Sequence, residues 1–238
     1  MKKARCGACY RSEPSAFGLV ITHVYACRRG GGDSSVNHYF SKNPDVESNR
    51  KHVTFVVRGI SLTLMVDAGV FSKSGLDYGT RTLIEAVDLP ADAMVVDLGC
   101  GYGPVTAVLG RIYSQTRWWL VDVNERACQL AARNVAEFGD RARVFESDGF
   151  KSLPAGLVDV IVLNPPIRAG KAVIYKLFEE SSARLTRSGS LWVVMQKKHG
   201  APSAKVRLEE LFSDVELRQR SSGYHVFKCT GPIHDGED

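Results

Sequence analysis

Asn164-Pro165-Pro166 joins a side-chain amide oxygen to a main chain that is stiff and poor in donors. Proline has no N–H and a fixed φ, so Pro165 and Pro166 stiffen the turn and their carbonyls stay free as acceptors. The Asn164 amide oxygen and the Pro165 carbonyl can together take the two hydrogens of a planar exocyclic amine. Held that way, the nitrogen's electrons point toward an incoming electrophilic carbon, and the positive charge growing on nitrogen is stabilised by two acceptors. No strong general base is required, because the nitrogen becomes acidic once it is alkylated. The bland alternative is a turn that merely ends a strand, and a second motif upstream weighs against it.

That second motif is Val95-Val96-Asp97-Leu98-Gly99-Cys100-Gly101-Tyr102-Gly103-Pro104, an apolar strand running into a glycine-rich turn and a helix. Glycines at 99, 101 and 103 let the backbone turn sharply and leave a ligand lying against bare main chain. Pro104 fits the first turn of a helix that Val105 to Tyr113 continues with apolar spacing. The pattern is not the dinucleotide fingerprint G-x-G-x-x-G, whose sixth position here is Pro104. Asp122, at the end of the next strand, is placed to accept hydrogen bonds from both hydroxyls of a ribose. An acid such as Asp97 would repel a pyrophosphate and attract an amino group, as on a methionine moiety. Together these favour S-adenosylmethionine over a nicotinamide nucleotide.

The elements that must position these residues follow from periodicity. Val53 to Val57 and Leu62 to Val66 read as a hairpin turning at 58–61, and 67–77, with Phe71 near its middle, as a loop able to fold over a ligand. Helices are expected over 78–87, 104–113, 125–138, 171–185 and 205–212, and strands over 94–98, 118–123, 143–146, 158–163, 190–195, 215–220 and 224–229. The alternation from Met94 onward implies a parallel sheet covered on both faces, closed by two final strands around Ser221-Ser222-Gly223. Asn164 then lies at the carboxyl end of a strand beside the glycine strand, in the crevice where such sheets bind ligands.

With 238 residues, 44% hydrophobic and 24% charged, the composition is that of one globular catalytic domain. No apolar run approaches membrane-span length and the start lacks the apolar core of a secretory signal, so a cytoplasmic protein is expected. A net charge of +5 is compatible with nucleic acid without requiring it. Of the six cysteines, Cys100, Cys128 and Cys229 fall inside expected elements, which argues against a disulfide framework. Cys6, Cys9, His23 and Cys27 have donor types suited to tetrahedral zinc, but their spacing misses the usual finger pattern. Residues 1–37, ending near Gly30-Gly31-Gly32, are expected to be a poorly ordered leader without metal, 38–230 the catalytic domain, and 231–238 a frayed tail.

Asp97-x-Gly99-x-Gly101, Asp122, Asp148-Gly149 and Asn164-Pro165-Pro166 resemble the successive motifs of class I S-adenosylmethionine-dependent methyltransferases. More narrowly they are similar to the small-subunit ribosomal RNA guanine-N2 methyltransferases of the RsmC type. Asp67-Ala68-Gly69-Val70-Phe71-Ser72 with Leu76-Asp77-Tyr78-Gly79-Thr80, and Asn164-Pro165-Pro166-Ile167-Arg168-Ala169-Gly170-Lys171, carry the closer likeness. The resemblance implies a Rossmann-like α/β fold, a seven-stranded mostly parallel sheet with its last strand antiparallel. It implies that Asp97, Gly99, Cys100 and Gly101 border the methionine part of the cofactor. Asp122 would hold the ribose, Val123 would pack on adenine, and Asp148 beside Gly149 would bond the adenine amine. Asn164, next to the cofactor, and Pro165 would grip the target amine, with Pro166 completing the catalytic turn.

The chain departs from the pattern of many amino-methyltransferases by carrying Ile167 where an aromatic residue stacks on the target base. Phe71 is the substitute expected from the sequence, and Arg168, Lys171, Lys197, Lys198 and His199 are expected to meet RNA phosphates. Longer relatives carry a second, degenerate methyltransferase-like domain ahead of the catalytic one, in place of the leader here. The expected activity is methyl transfer to N2 of a guanine in 16S ribosomal RNA. The rivals are another planar amine, adenine N6 or a protein glutamine, and an RNA-binding or ribosome assembly factor without turnover.

Overall fold

The computed structural model describes residues 10–14, 20–24, 47–70 and 75–233. Tyr10–Pro14 (β1) and Val20–Val24 (β2) pair antiparallel, so two strands lie within the stretch expected as an unordered leader. Cys6, Cys9 and Cys27 lie outside the described residues, as do Phe71 and 234–238. Among the described residues no group of His, Cys, Asp or Glu could hold a metal ion, and no helix is long and apolar enough to cross a membrane.

Strict alternation builds the hairpin Lys51–Val57 (β3) and Ile60–Val66 (β4), with Phe55, Val57, Leu62, Leu64 and Val66 buried and Thr54, Val56, Ser61 and Thr63 exposed. Its two-residue turn has positive φ at both Arg58 (48°) and Gly59 (75°), the geometry that matches the twist of paired strands. Arg58 reaches from this turn to the end of helix Tyr78–Ala86 (α1), donating to the Val87 carbonyl at 2.9 Å. At the other end of α1, the Asp77 carboxylate accepts the Thr80 N–H at 3.0 Å, a side-chain cap.

From there strands and helices alternate: Met94–Leu98 (β5), Pro104–Ile112 (α2), Arg117–Asp122 (β6), Glu125–Asn134 (α3), Ala142–Glu146 (β7) and Val158–Leu163 (β8). Lys171–Arg184 (α4), Leu185–Gln196 (β9), Ala201–Glu209 (α5), Phe212–Ser221 (β10) and Tyr224–Pro232 (β11) complete the chain. The seven strands lie in the order β10-β11-β9-β8-β5-β6-β7, and β11 alone runs against the rest. Consecutive strand residues divide between two cores, as a period of 2 requires. Val95, Leu120, Val162 and Val194 pack with α1, α2, α3 and the hairpin, whereas Val96, Val121, Ile161 and Val193 pack with α4 and α5.

Several boundaries differ from expectation, among them the start of β9 at Leu185 rather than 190. Helix α5 begins at Ala201, because Gly200 turns the chain in the left-handed region (φ 99°) and Pro202 fits the first turn, and Phe212 belongs to β10. Helix α3 stops at Asn134, and Phe138 is buried from a 3-10 segment, Ala136–Arg141. Gly231 and Pro232 extend β11 into the stretch expected as a frayed tail.

Candidate active site

Strand β5 has β6 on one side and β8 on the other, and the chain leaves it in both directions: β6 and β7 toward one edge, β8 and β9 toward the other. Leu98 is level with Val121 and Leu163, so the glycine turn, Asp122 and Asn164 emerge together at the carboxyl ends of three neighbouring strands. A crevice opens at such a switch point.

Gly99, Gly101 and Gly103 all have positive φ, which is why L side chains fit poorly in this turn. A Cβ at Gly99 or Gly101 would meet nothing within 4 Å, so bare main chain borders open space there. The turn is clamped to β6, with the N–H groups of Gly99 and Cys100 both donating to the Val121 carbonyl at 2.8 and 2.9 Å. Cys100 lies in the expected turn, but its side chain is buried and only its main chain can meet a ligand. Burial pushes its thiol well above the ordinary value. Cys100, Cys128 and Cys229 are buried free thiols.

Asp97 is 3% exposed. Its Oδ2 accepts the Thr106 hydroxyl at 2.7 Å and the Thr106 N–H at 3.3 Å. Burial pushes its carboxyl up to about 6, with Thr106 pulling the other way and the nearby Asp122 charge adding to the rise. Asp122 is also raised by burial, against main-chain donors. Its Oδ2 accepts Gly101 N–H and its Oδ1 accepts Asn124 N–H, both at 2.9 Å. A carboxylate has about four acceptor positions, so the main-chain donors, Val123 N–H among them, leave only part of that capacity for ribose hydroxyls. Val123 follows, half-buried.

The segment after β4 is tied to this corner. Asn124 caps α3 through its side-chain oxygen and donates through Nδ2 to the Gly69 carbonyl at 3.2 Å, while Arg126 reaches the Ala68 carbonyl at 2.6 Å. Asp67, buried, accepts Ser48 Oγ at 2.7 Å and Asn49 N–H at 2.6 Å, and these bonds outweigh burial to hold its carboxyl below the ordinary value. Tyr102, from the glycine turn, donates to the Gly75 carbonyl at 3.4 Å. Both described ends of this loop are therefore fastened beside the turn.

Asp148 is exposed, with Oδ2 paired to Lys151 and 3.9 Å from Lys176, and the Lys151 hydrogen bond holds its carboxyl below the ordinary value. Gly149 (φ 61°) backs onto the Glu180 carboxylate, which a Cβ there would strike.

Asn164 is half-buried and donates through Nδ2 to Thr80 Oγ1 at 2.9 Å. The Pro165 carbonyl accepts no hydrogen bond among the described residues, whereas the Pro166 carbonyl accepts Ala169 N–H at 2.9 Å. The expectation that both proline carbonyls stay free is corrected for Pro166, whose acceptor closes the 3-10 turn Ile167–Ala169. Ile167 packs on the core beneath α4. Arg168, Lys171, Lys197, Lys198 and His199 are exposed on segments following β8 and β9, at the same edge.

Three polar residues given no role of their own from the sequence complete the site. Thr106 and Asn124 sit at helix starts following the two strand-end acids, where caps and first-turn hydroxyls are common. Thr80 carries no such signal, because its partner is distant in sequence. An acid for an ammonium, an acid for ribose hydroxyls, an open glycine cradle and an oriented amide fit S-adenosylmethionine beside a planar amine.

A family model described as methyltransferase small domain matches residues 61–228. Uncharacterized protein YbxB of Bacillus subtilis (strain 168) is 41% identical over 195 residues, covering 81% of this chain and 97% of that protein. Ribosomal RNA large subunit methyltransferase G of Ectopseudomonas mendocina (strain ymp) is 34% identical over 181 residues, 71% of this chain and 46% of that protein. A solved structure, the T. thermophilus 16S rRNA N2 G1207 methyltransferase (RsmC) in complex with AdoMet and guanosine, superposes with a TM-score of 0.68 at 24% identity. That likeness covers 79% of this chain and 52% of that one, and it shows a shared fold. The chain thus spans about half the length of these two ribosomal RNA methyltransferases.

Proposed function

The chain belongs to the methyltransferase small domain family, whose members bind S-adenosylmethionine, and from that premise we propose that it methylates the exocyclic N2 of a guanine in small-subunit (16S) ribosomal RNA. The observation that carries this reading is the Asn164 amide. Thr80 occupies its nitrogen, so Oδ1 is the atom offered to a target amine. The Pro165 carbonyl, without a partner among the described residues, is the second acceptor.

The cofactor supplies an electrophilic methyl group. Asp97, when ionised, neutralises the ammonium of the methionine moiety, Asp122 takes the ribose hydroxyls, and the main chain at Gly99 and Gly101 lies along the chain between them. Val123 would pack against adenine, and Asp148 would accept from its amino group. Asn164 Oδ1 and the Pro165 carbonyl accept the two N–H groups of the target amine, aim its electrons at the methyl carbon and stabilise the charge that develops on nitrogen. The proton then leaves to water from a nitrogen made acidic by methylation.

Guanine is favoured because the structural neighbour is a 16S rRNA N2 G1207 methyltransferase in complex with guanosine, and because Ile167 stands where enzymes acting on adenine N6 or glutamine often carry an aromatic residue. The large-subunit relative supports a second reading, the same reaction on large-subunit RNA. A ribosomal substrate implies a cytoplasmic setting, with 38–230 as the catalytic unit.

The test is transfer of tritiated methyl from S-adenosylmethionine to small and large ribosomal subunits that lack the modification, followed by nuclease digestion and nucleoside chromatography. Label in N2-methylguanosine from the small subunit is expected. The same nucleoside from the large subunit alone moves the target, and label in protein or in no macromolecule overturns the reading.

A further inference from the structure

The residue after Asn164-Pro165-Pro166 offers no aromatic ring to a base, since Ile167 is aliphatic and half-buried against the core that includes α4. An aromatic surface nevertheless stands at the same edge of the sheet, supplied by another part of the chain. Tyr78, the first residue of α1, leaves 45% of its surface exposed, among the most exposed of the large hydrophobic side chains described. Its hydroxyl shares a 2.9 Å hydrogen bond with Ser221 Oγ at the end of β10. Its ring lies 5.8 Å from the Tyr224 ring, with the planes inclined at 30°.

Tyr224 in turn covers Gly79, where a Cβ would stand 2.9 Å from Tyr224 Cε1, so glycine is what allows the ring this close to the helix. The next residue is Thr80, which holds Asn164. Strand register puts Tyr224 and Asn164 at one end of the sheet, with Tyr224 two residues beyond the level of Asn164. Leu163, just before Asn164, aligns with Val193, and Tyr224 aligns with Gln196, so both stand at the carboxyl edge of the sheet. Three consecutive residues of α1 thus couple an exposed aromatic pair to the oriented amide.

We propose that Tyr78 and Tyr224 form the subsite for the target base, a purine extruded from its stack that lies on the Tyr78 ring while its exocyclic amine reaches Asn164. This rests on the methyl-transfer reading and supplies the stacking partner that Ile167 does not. A base within a helix hides its exocyclic amine from a buried acceptor and must be unstacked to reach it. Aromatic rings repay that loss with any base, because every base has a π-face. The Ser221 bond holds the Tyr78 ring in place before binding, so little side-chain freedom is lost when a base arrives.

The experiment compares Tyr78→Leu and Tyr78→Phe with the wild-type chain, reading kcat/KM on ribosomal subunits lacking the modification. Sinefungin affinity by calorimetry and the thermal midpoint are measured on the same samples. Loss of stacking in Tyr78→Leu is expected to lower kcat/KM about tenfold or more with sinefungin affinity unchanged. Tyr78→Phe, which keeps the ring and drops the Ser221 bond, is expected to recover most of it. Tyr78→Leu with wild-type kcat/KM overturns the subsite alone. A wild-type chain that transfers methyl to no RNA overturns the functional reading and takes the subsite with it. Should Tyr78→Leu melt early, Tyr78→Gln against Tyr78→Trp makes the same comparison, and equal kcat/KM in those two overturns the proposal.

Discussion

Asn164 Nδ2 donates to Thr80 Oγ1 at 2.9 Å, joining the end of β8 to the first turn of α1. Thr80 is itself fixed, because its N–H donates to the Asp77 cap and its side chain is buried. The amide is therefore held in one rotation, with its oxygen turned away from Thr80. Thr80→Val should lower kcat about tenfold to a hundredfold, the scale of a misplaced reacting group, and leave sinefungin affinity near wild type. Thr80→Ser keeps the hydroxyl and should restore most of the rate. Wild-type kcat in Thr80→Val would mean that another group orients Asn164.

Asp122 serves two structures at once. It accepts the main-chain N–H groups of Gly101 and Asn124, and the proposed function gives it the ribose as well. Asp122→Ala should weaken sinefungin binding by about 3 kcal/mol, roughly two orders of magnitude, since two donors of the ligand and two of the turn lose their partner. Calorimetry checks it, and a loss below about fivefold would remove Asp122 from the ribose site.

The sheet was legible because its signals are local. Runs such as Val158–Leu163 and Met94–Leu98 are apolar throughout, turns such as Ser222-Gly223 carry positive φ, and both acids stand where their strands end. The motif residues Gly99, Gly101, Asp122 and Asn164 do meet at one edge. Pairings across the fold were not legible. Thr80 with Asn164, Tyr78 with Ser221 and Asn124 with Gly69 join residues far apart in sequence, and no periodicity announces them. The start of α5 was missed for a related reason. The helix was expected only from Lys205, whereas Gly200 and Pro202 together make its entrance at Ala201.

Asp97 gives the site a pH dependence with a definite sign. Its carboxyl titrates at about 6 in the fold against an ordinary 3.8, so the unfolded chain gives up the proton first. The protonated form stabilises the fold. That contribution is complete below about pH 4 and is lost as pH rises through 6, a difference of roughly 3 kcal/mol for a fully buried acid. Asp97→Asn should therefore gain stability relative to wild type between pH 4 and 7 without ligand, in thermal or urea melts. On the proposed role of Asp97, cofactor binding should follow the opposite form, because the methionine ammonium would need the ionised carboxylate. Sinefungin affinity should fall up to about tenfold per unit as pH drops below 6, and the slope should vanish in Asp97→Asn. An unchanged slope in that variant would assign the titration to another group, Asp122 first.

Asp148 should matter less than Asp122, for an electrostatic reason. Its Oδ2 is already engaged by Lys151, with Lys176 at 3.9 Å, so part of its acceptor capacity is spent before adenine arrives. The lysines also keep it ionised at any working pH, since they hold its carboxyl below the ordinary range. Exposed pairs of this kind contribute about 1 kcal/mol or less and weaken with salt. Asp148→Ala should therefore cost less than about tenfold in sinefungin affinity, well short of Asp122→Ala. Lys151→Ala, which frees the oxygen, should raise affinity about twofold at low salt, with the gain shrinking as salt screens the pair. Calorimetry at two ionic strengths reads both variants. An Asp148→Ala loss as large as that of Asp122→Ala would mean that Lys151 gives way to the adenine amine and that Asp148 is a principal anchor of the base.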